Sequence, residues 1–499
     1  MVLRSYYICG RPRLQPQIKV AIKALMKLKL LVFSLIIMSI LGCNSDKEKV
    51  QSIFIGGEIV NPKSEFFILS KNNTTIDTLY LNQNNRFGKH LEDLEEGIYR
   101  FNHPPENQIM YLQPGDSILV WLNTLDFDES INFSGKGAKK SNFLLDLFLA
   151  NREENEMILS YYKYQPEEFT SKIDSIYNSK HQQLEQLTAQ RDFSEDFIEI
   201  ARAGIDYQYY HFKERYAFLT RKYFKELAGE IPEDFHDYRD SINFDSENLN
   251  TYYVYTNFID DYFRTKAIER CDPKLPPTDD CFDLNSLNNI SYKIILADSL
   301  IQNSQIKNSY FDRLGSQGVT FSKEAKDIDS VIALLEQTNY NREKLGNLKQ
   351  MAEIQINLLP GNNIGNLPLS NVDGDTIRLK NISDKPLITY HWSMFSKEHF
   401  LWQQGIINKL RLKYPEVDFV GINIDKDIRK SWSEIVKIQT TNPEMEYHLT
   451  FARTERDLLK AYLNKMFFID TNGEIIKGSS QLYSNTFERE ILEFLNKYD

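Results

Sequence analysis

The chain has 499 residues, of which 41% are hydrophobic, 26% charged and 13% aromatic, and a formal net charge of −11. At about 150 residues per domain this length gives roughly three domains, and the composition excludes wholesale disorder. An acidic chain without a basic block argues against nucleic acid as a partner. With 21 Gly and 16 Pro, it is also neither collagen-like nor dominated by linkers.

Residues 1–42 hold Arg4, Arg11, Arg13, Lys19, Lys23, Lys27 and Lys29 and no acidic residue. Lys27 and Lys29 precede a largely apolar run from Leu30 to Leu41. The run is short for a bilayer span and has the length of a signal-peptide core. It ends Ser39-Ile40-Leu41-Gly42-Cys43, which resembles the bacterial lipoprotein signal. The resemblance implies lipidation at Cys43 and a membrane-anchored protein of the bacterial cell envelope, on its periplasmic face or at the cell surface. Residues 1–42 are then an upstream extension and signal peptide, and residues 43–50 a polar tether. An ordinary secretory leader is the plainer alternative.

Four cysteines are present. Cys9 lies in the leader and Cys43 at its end. Cys271 and Cys281 flank a Pro-rich loop, and in an oxidising compartment they are expected to form a structural disulfide contributing about 2–3 kcal/mol. A redox-active pair is the alternative, although the spacing does not place both sulfurs at one helix N-terminus. No zinc-ligand spacing occurs, and neither a metal nor a cofactor is expected.

Residues 51–139 read as a small all-β domain. Short runs of β-formers begin at Ser52, Phe66, Thr78, Ile98, Ile109 and Ile118, separated by turn clusters such as Asn84-Asn85 and Pro114-Gly115-Asp116. Residues 140–355 read as helical. Pro166 opens one helix, Ser194 caps a second, and Ser322 is expected to start another. The aromatic crowd from Tyr207 to Phe224 and from Tyr252 to Phe263 reads first as core, and otherwise as a glycan- or peptide-binding surface. Residues 356–499 alternate strand and helix. Asp373-Gly374 and Asn472-Gly473 mark tight hairpins, Leu387 to His391 and Phe419 to Ile424 read as central strands, and helices follow each of them.

Four motifs occur in order: Asn371-Val-Asp-Gly-Asp-Thr-Ile-Arg-Leu379, Pro386-Leu-Ile-Thr-Tyr-His-Trp392, Phe419 to Asp425 followed by Trp432, and Phe468-Ile-Asp-Thr-Asn-Gly-Glu-Ile475. Together they resemble the TlpA/ResA branch of the thioredoxin family. This implies a thioredoxin-like α/β sandwich at the C-terminus, and the β-domain resembles the one that precedes such modules in envelope lipoproteins. The family chemistry is protein-disulfide exchange and needs two thiols at Trp-Cys-x-x-Cys. Here Trp392 is followed by Ser393 and Ser396 at both sulfur positions, and Asn464 stands at the family's cis-proline position. An alcohol has no disulfide couple, so exchange at this site is excluded. With His391 close in sequence, Ser393 could be read as a nucleophile. The plainer expectation is that Ser393 or Ser396 caps the following helix, and that His399, Asp425 and Asp427 are solvated surface. The reading is an envelope lipoprotein with a redox-inactive thioredoxin-like domain that binds a protein or peptide partner. A periplasmic thiol-disulfide oxidoreductase and a glycan-binding lipoprotein are the alternatives.

Overall fold

The computed structural model describes residues 52–104, 106–189, 193–425, 429–450, 465–484 and 486–497. The leader, Cys43, the tether, Asp427, Leu458 and Asn464 lie outside the described residues.

The N-terminal part is a two-sheet sandwich. One sheet has the order β4-β1-β7-β8, formed by Ile53–Val60 (β1), Arg86–Leu91 (β4), Ser117–Asn123 (β7) and Asn132–Lys136 (β8). The other has the order β3-β2-β5-β6, formed by Phe66–Lys71 (β2), Thr74–Tyr80 (β3), Gly97–His103 (β5) and Glu106–Leu112 (β6). The period-2 pattern of β7 shows why these residues form a sandwich: Ile118, Val120 and Leu122 point inward, and Leu119 and Trp121 point out. Leu69, Phe101 and Met110 meet them from the other sheet. Strands β4 and β8 go beyond the expected set; they are polar strands at the two ends of one sheet, without a run of β-formers.

Eight longer helices fill the middle among the described residues. Ala138–Ile158 (α1) follows β8 through Gly137. Pro166–Thr188 (α2) starts with its proline in the first turn, and Glu195–Tyr223 (α3) is capped by Ser194, whose Oγ accepts from the Phe197 N–H. Tyr253–Ile268 (α4), Leu287–Leu300 (α5), Ser304–Phe321 (α6), Ala325–Glu336 (α7) and Arg342–Asn357 (α8) follow. Ser322 does not start a helix: it closes α6, and its hydroxyl donates back to the Gly318 carbonyl at 2.6 Å. The aromatic crowd is mostly core. Phe212, Tyr216, Tyr252, Tyr255, Phe258 and Phe263 are all buried, whereas Tyr223 is exposed. Two short-range anchors tie the sandwich to α1. Lys140 pairs with Asp116 at 2.9 Å with both groups buried, and the Ser141 hydroxyl bonds both backbone groups of Tyr111. Cys271 and Cys281 are joined as a disulfide, packed beside Ile268 and Phe282.

The C-terminal part is a seven-stranded sheet of order β10-β9-β13-β12-β11-β14-β15. Its strands are Pro368–Ser370 (β9), Thr376–Arg378 (β10), Leu387–Trp392 (β11), Asp418–Asn423 (β12), Glu446–Leu449 (β13), Met466–Ile469 (β14) and Ile475–Ser480 (β15). The central strands β11, β12 and β13 are parallel, while β14 and β15 continue antiparallel. Lys397–Lys413 (α9), Arg429–Gln439 (α10) and Phe487–Leu495 (α11) complete this part. Every residue of β11 is buried, because one face packs on Phe400, Ile407 and Phe494 and the other belongs to a core with Leu358. The βα unit joining β11 to β12, followed by the β14–β15 hairpin and a terminal helix, is the thioredoxin-like arrangement that the motifs imply. Among the described residues no helix is long and apolar enough to cross a membrane.

Candidate functional site

The parallel strands β11, β12 and β13 end side by side, and the C-terminal ends of such strands are where α/β sheets place their sites. β11 delivers Ser393, and β12 delivers Asn423 and, two residues on, Asp425. All three are at most 2% exposed. The Ser393 hydroxyl donates to Asp425 Oδ1 at 2.5 Å. The Met394 N–H and the Asn423 side-chain amide donate to Oδ2 at 2.6 and 2.9 Å. From β13, His448 Nε2 lies 2.8 Å from the Asp425 carbonyl. A buried carboxylate must find several donors to be tolerated, and this one gathers the turn after β11 around itself.

This corrects two sequence expectations. Asp425 is not solvated surface, because its strand position carries it under the β11 turn. Neither serine caps α9: Ser396 sits at the helix start without a capping side-chain bond, and the Ser393 hydroxyl is turned to Asp425. The backbone still forms a tight turn, with Ser396 N–H donating to the Ser393 carbonyl at 3.1 Å. His399 is half-buried and stacks on the ring of Trp402.

His391 sits in the buried strand, with Nδ1 3.1 Å from the Lys465 carbonyl and its ring edge-on to Phe467. Burial pulls its imidazole down to about 4, so it is neutral at physiological pH. The Ser393 hydroxyl donates its hydrogen bond to the Asp425 side chain, and an alcohol is far too weak an acid to surrender its proton to a carboxylate.

A second buried polar cluster lies on the other face of β11. Period 2 puts Tyr390 and Trp392 on the same face. In the sheet register Tyr390 lies opposite Gly421, and Gly421 opposite Glu446. Because residue 421 has no side chain, Tyr390 and Glu446 meet across the middle strand. The Tyr390 hydroxyl donates to Glu446 Oε1, and Trp392 Nε1 donates to Oε2 at 3.0 Å. Gln404 from α9 donates to both Glu446 Oε1 and the Tyr390 hydroxyl at 2.7 Å. Burial pushes the Glu446 carboxyl up to about 7 against these donors. Nothing in the sequence signals Gln404. For Glu446 the only sign is its place in the run Met445 to Leu449, too short and too polar to read as a strand.

Trp392, Ser393 and Ser396 thus come together, while Cys271 and Cys281 belong to the helical part and join neither cluster. No group of three or more metal-ligating side chains occurs among the described residues.

No protein-family model and no curated protein matches the chain. Solved structures do. A thioredoxin-like protein from Bacteroides caccae aligns over 57% of this chain and 94% of its own, at 12% identity and a TM-score of 0.31. A Bacteroides vulgatus protein assigned as a thiol-disulfide oxidoreductase aligns over 26% of this chain and 87% of its own, at 19% identity and a TM-score of 0.23. A SCO1/SenC family lipoprotein from Bacillus anthracis aligns over 26% of this chain and 92% of its own, at 15% identity and a TM-score of 0.22. Likenesses this distant say nothing about activity. What stands is a multidomain chain, sheet-rich then helical, with a thioredoxin-like fold over a minor part of its length.

Proposed function

We propose that this chain is a lipoprotein of the bacterial cell envelope, anchored through Cys43, whose thioredoxin-like domain binds a protein or peptide partner and does not exchange disulfides. The observation that carries the reading is the Ser393–Asp425 bond. The atom standing where a reactive sulfur would be is an alcohol oxygen, buried and held by a carboxylate. Such an atom can be neither oxidised to a disulfide nor presented to one. The Cys271–Cys281 bond is read as a staple of the helical part, since Cys271 is 2% exposed and packed in an apolar cluster.

The test has two arms. The full-length protein should not reduce insulin, and Cys271→Ala should leave that result unchanged. Restoring Ser393→Cys and Ser396→Cys together should let a disulfide form under mild oxidation, detected by alkylation and mass spectrometry. Burial should keep the pKa of the thiol introduced at position 393 high, so turnover should stay negligible. Insulin reduction by the unmodified protein, abolished by Cys271→Ala, would favour the oxidoreductase reading instead. In the second arm a clickable fatty acid should label the wild type and not Cys43→Ala. Equal labelling removes the anchor from the proposal.

A further inference from the structure

The helical part contains a cavity of about 320 Å³ between α4, α5 and α6 that neither the sandwich nor the thioredoxin-like domain explains. Its wall carries three cationic side chains from three helices: Arg264 from α4, Lys293 from α5 and Arg313 from α6. In a chain of net charge −11 this convergence is out of character. Arg313 forks onto Asp260 with bonds of 2.7 and 2.5 Å, and Arg264 reaches Asp261 at 2.9 Å. Lys293 is different. It is 4% exposed, its ammonium donates to the Leu284 carbonyl at 3.0 Å, and it forms no ion pair among the described residues. Asp260 and Asp283 lie near enough to favour its charge, yet neither pairs with the ammonium directly, so of the three cations the buried one is the one without a carboxylate in contact. A buried charge without a direct carboxylate partner is costly, and burial together with the Arg264 and Arg313 charges pulls this ammonium down to about 8 against the opposing pull of Asp260 and Asp283. A bound monoanion would relieve that penalty.

The rest of the wall says what kind of monoanion. Phe263, Leu284 and Leu314 supply an apolar side, and Asn285 and Gln317 supply amides already bonded to each other at 2.6 Å. A guanidinium edge suits a planar carboxylate: Arg264 donates to Asp261 from one nitrogen and keeps the rest of its guanidinium, while Arg313 has both terminal nitrogens on Asp260 and adds only its remaining N–H groups. We infer that this cavity is a binding site for an organic carboxylate with a small apolar body, neutralised by Lys293 and oriented by Arg264 and Arg313. Two sources share that chemistry, a free carboxylic acid and the C-terminal carboxylate of a peptide. A second cleft of about 280 Å³ shares Arg313 as a lining residue, with Asn250, Gln305 and Tyr310 among its other walls, and is where a longer chain would extend. The inference rests on the helical part alone and goes beyond the reading of the C-terminal domain, so either can fail without the other.

The experiment is calorimetry on the full-length protein with acetate, N-acetyl-leucine, N-acetyl-leucinamide, and an acetylated trialanyl-leucine as free acid and as amide. The acids should bind and the amides should not. Lys293→Met should weaken the acids about tenfold or more, the loss expected for one charge-assisted bond. Arg264→Gln alters a half-exposed side chain and leaves the core intact, and it should weaken them in the same direction, so a folding failure of the lysine variant does not decide the matter. Tighter binding of the peptide acid than of N-acetyl-leucine identifies a peptide C-terminus as the ligand, and equal binding identifies a free acid. Absence of heat with every acid, equal binding of acid and amide, or full affinity in Arg264→Gln overturns the assignment.

Discussion

Glu446 shows what a single buried group does to the whole domain. Its carboxyl titrates near 7 when folded, against an ordinary value of 4.5. Between those values the native state holds a proton that the unfolded chain has released. Stability from this group is therefore complete below about pH 4.5 and is lost as pH rises toward 7. The shift sets an upper bound of about 3 kcal/mol, reduced by relaxation around a buried network. Urea unfolding followed by tryptophan fluorescence should show wild type losing stability relative to Glu446→Gln across pH 5 to 7. Parallel pH profiles would mean that the carboxylate is solvated and the network open. The same group illustrates what sequence cannot disclose. Trp392, Ser393 and Ser396 were legible because they occupy adjacent positions of a local motif. Asp425, Gln404 and Glu446 act on that motif from other elements, and nothing in their own neighbourhoods announces it.

At the scale of elements, legibility followed burial pattern. Strands with both faces covered or with strict alternation, such as β11, β12 and β7, stand out as runs of β-formers. Edge strand β4, Arg86 to Leu91, has no such run because most of its side chains face water. β13 fails for the opposite reason: it is wholly buried but carries Glu446 and His448, which are tolerable only with partners supplied by the fold. The junction of these strands rests on Gly421. A Cβ there would lie 1.9 Å from Glu446 Oε2 and 2.7 Å from the Tyr390 hydroxyl. Gly421→Ala should cost about 2–4 kcal/mol by forcing the network apart. Adding Glu446→Ala should recover part of that loss, giving a coupling energy in a double-mutant cycle. Strict additivity in that cycle would place the strain elsewhere.

At the scale of the molecule, the thioredoxin-like domain is not a bead on a string. Lys465, at the entry to β14, is 3% exposed and sends its ammonium into the helical part, donating to the Thr320 carbonyl at 2.6 Å and to Gln355 Oε1 at 2.8 Å. Leu358, just past α8, packs into the same sheet face. Both acceptors of Lys465 are neutral, so the charge is solvated by dipoles alone. Burial pulls the ammonium down to about 7 from 10.5. Here the native state binds fewer protons than the unfolded chain between pH 7 and 10.5, and stability rises with pH across that window. Lys465→Met removes the titration and both bonds, and leaves the Thr320 carbonyl with an apolar neighbour. Chemical denaturation at pH 7 and pH 9.5 should show wild type gaining stability relative to the variant as pH rises. At the higher pH, the variant should also release the C-terminal domain before the helices, visible as a tryptophan transition preceding the far-UV one. A pH-independent difference would mean that the ammonium is hydrated where it crosses between the two parts. Loss of the pH difference with the two transitions still coincident would assign their coupling to the apolar contact at Leu358 and not to the lysine.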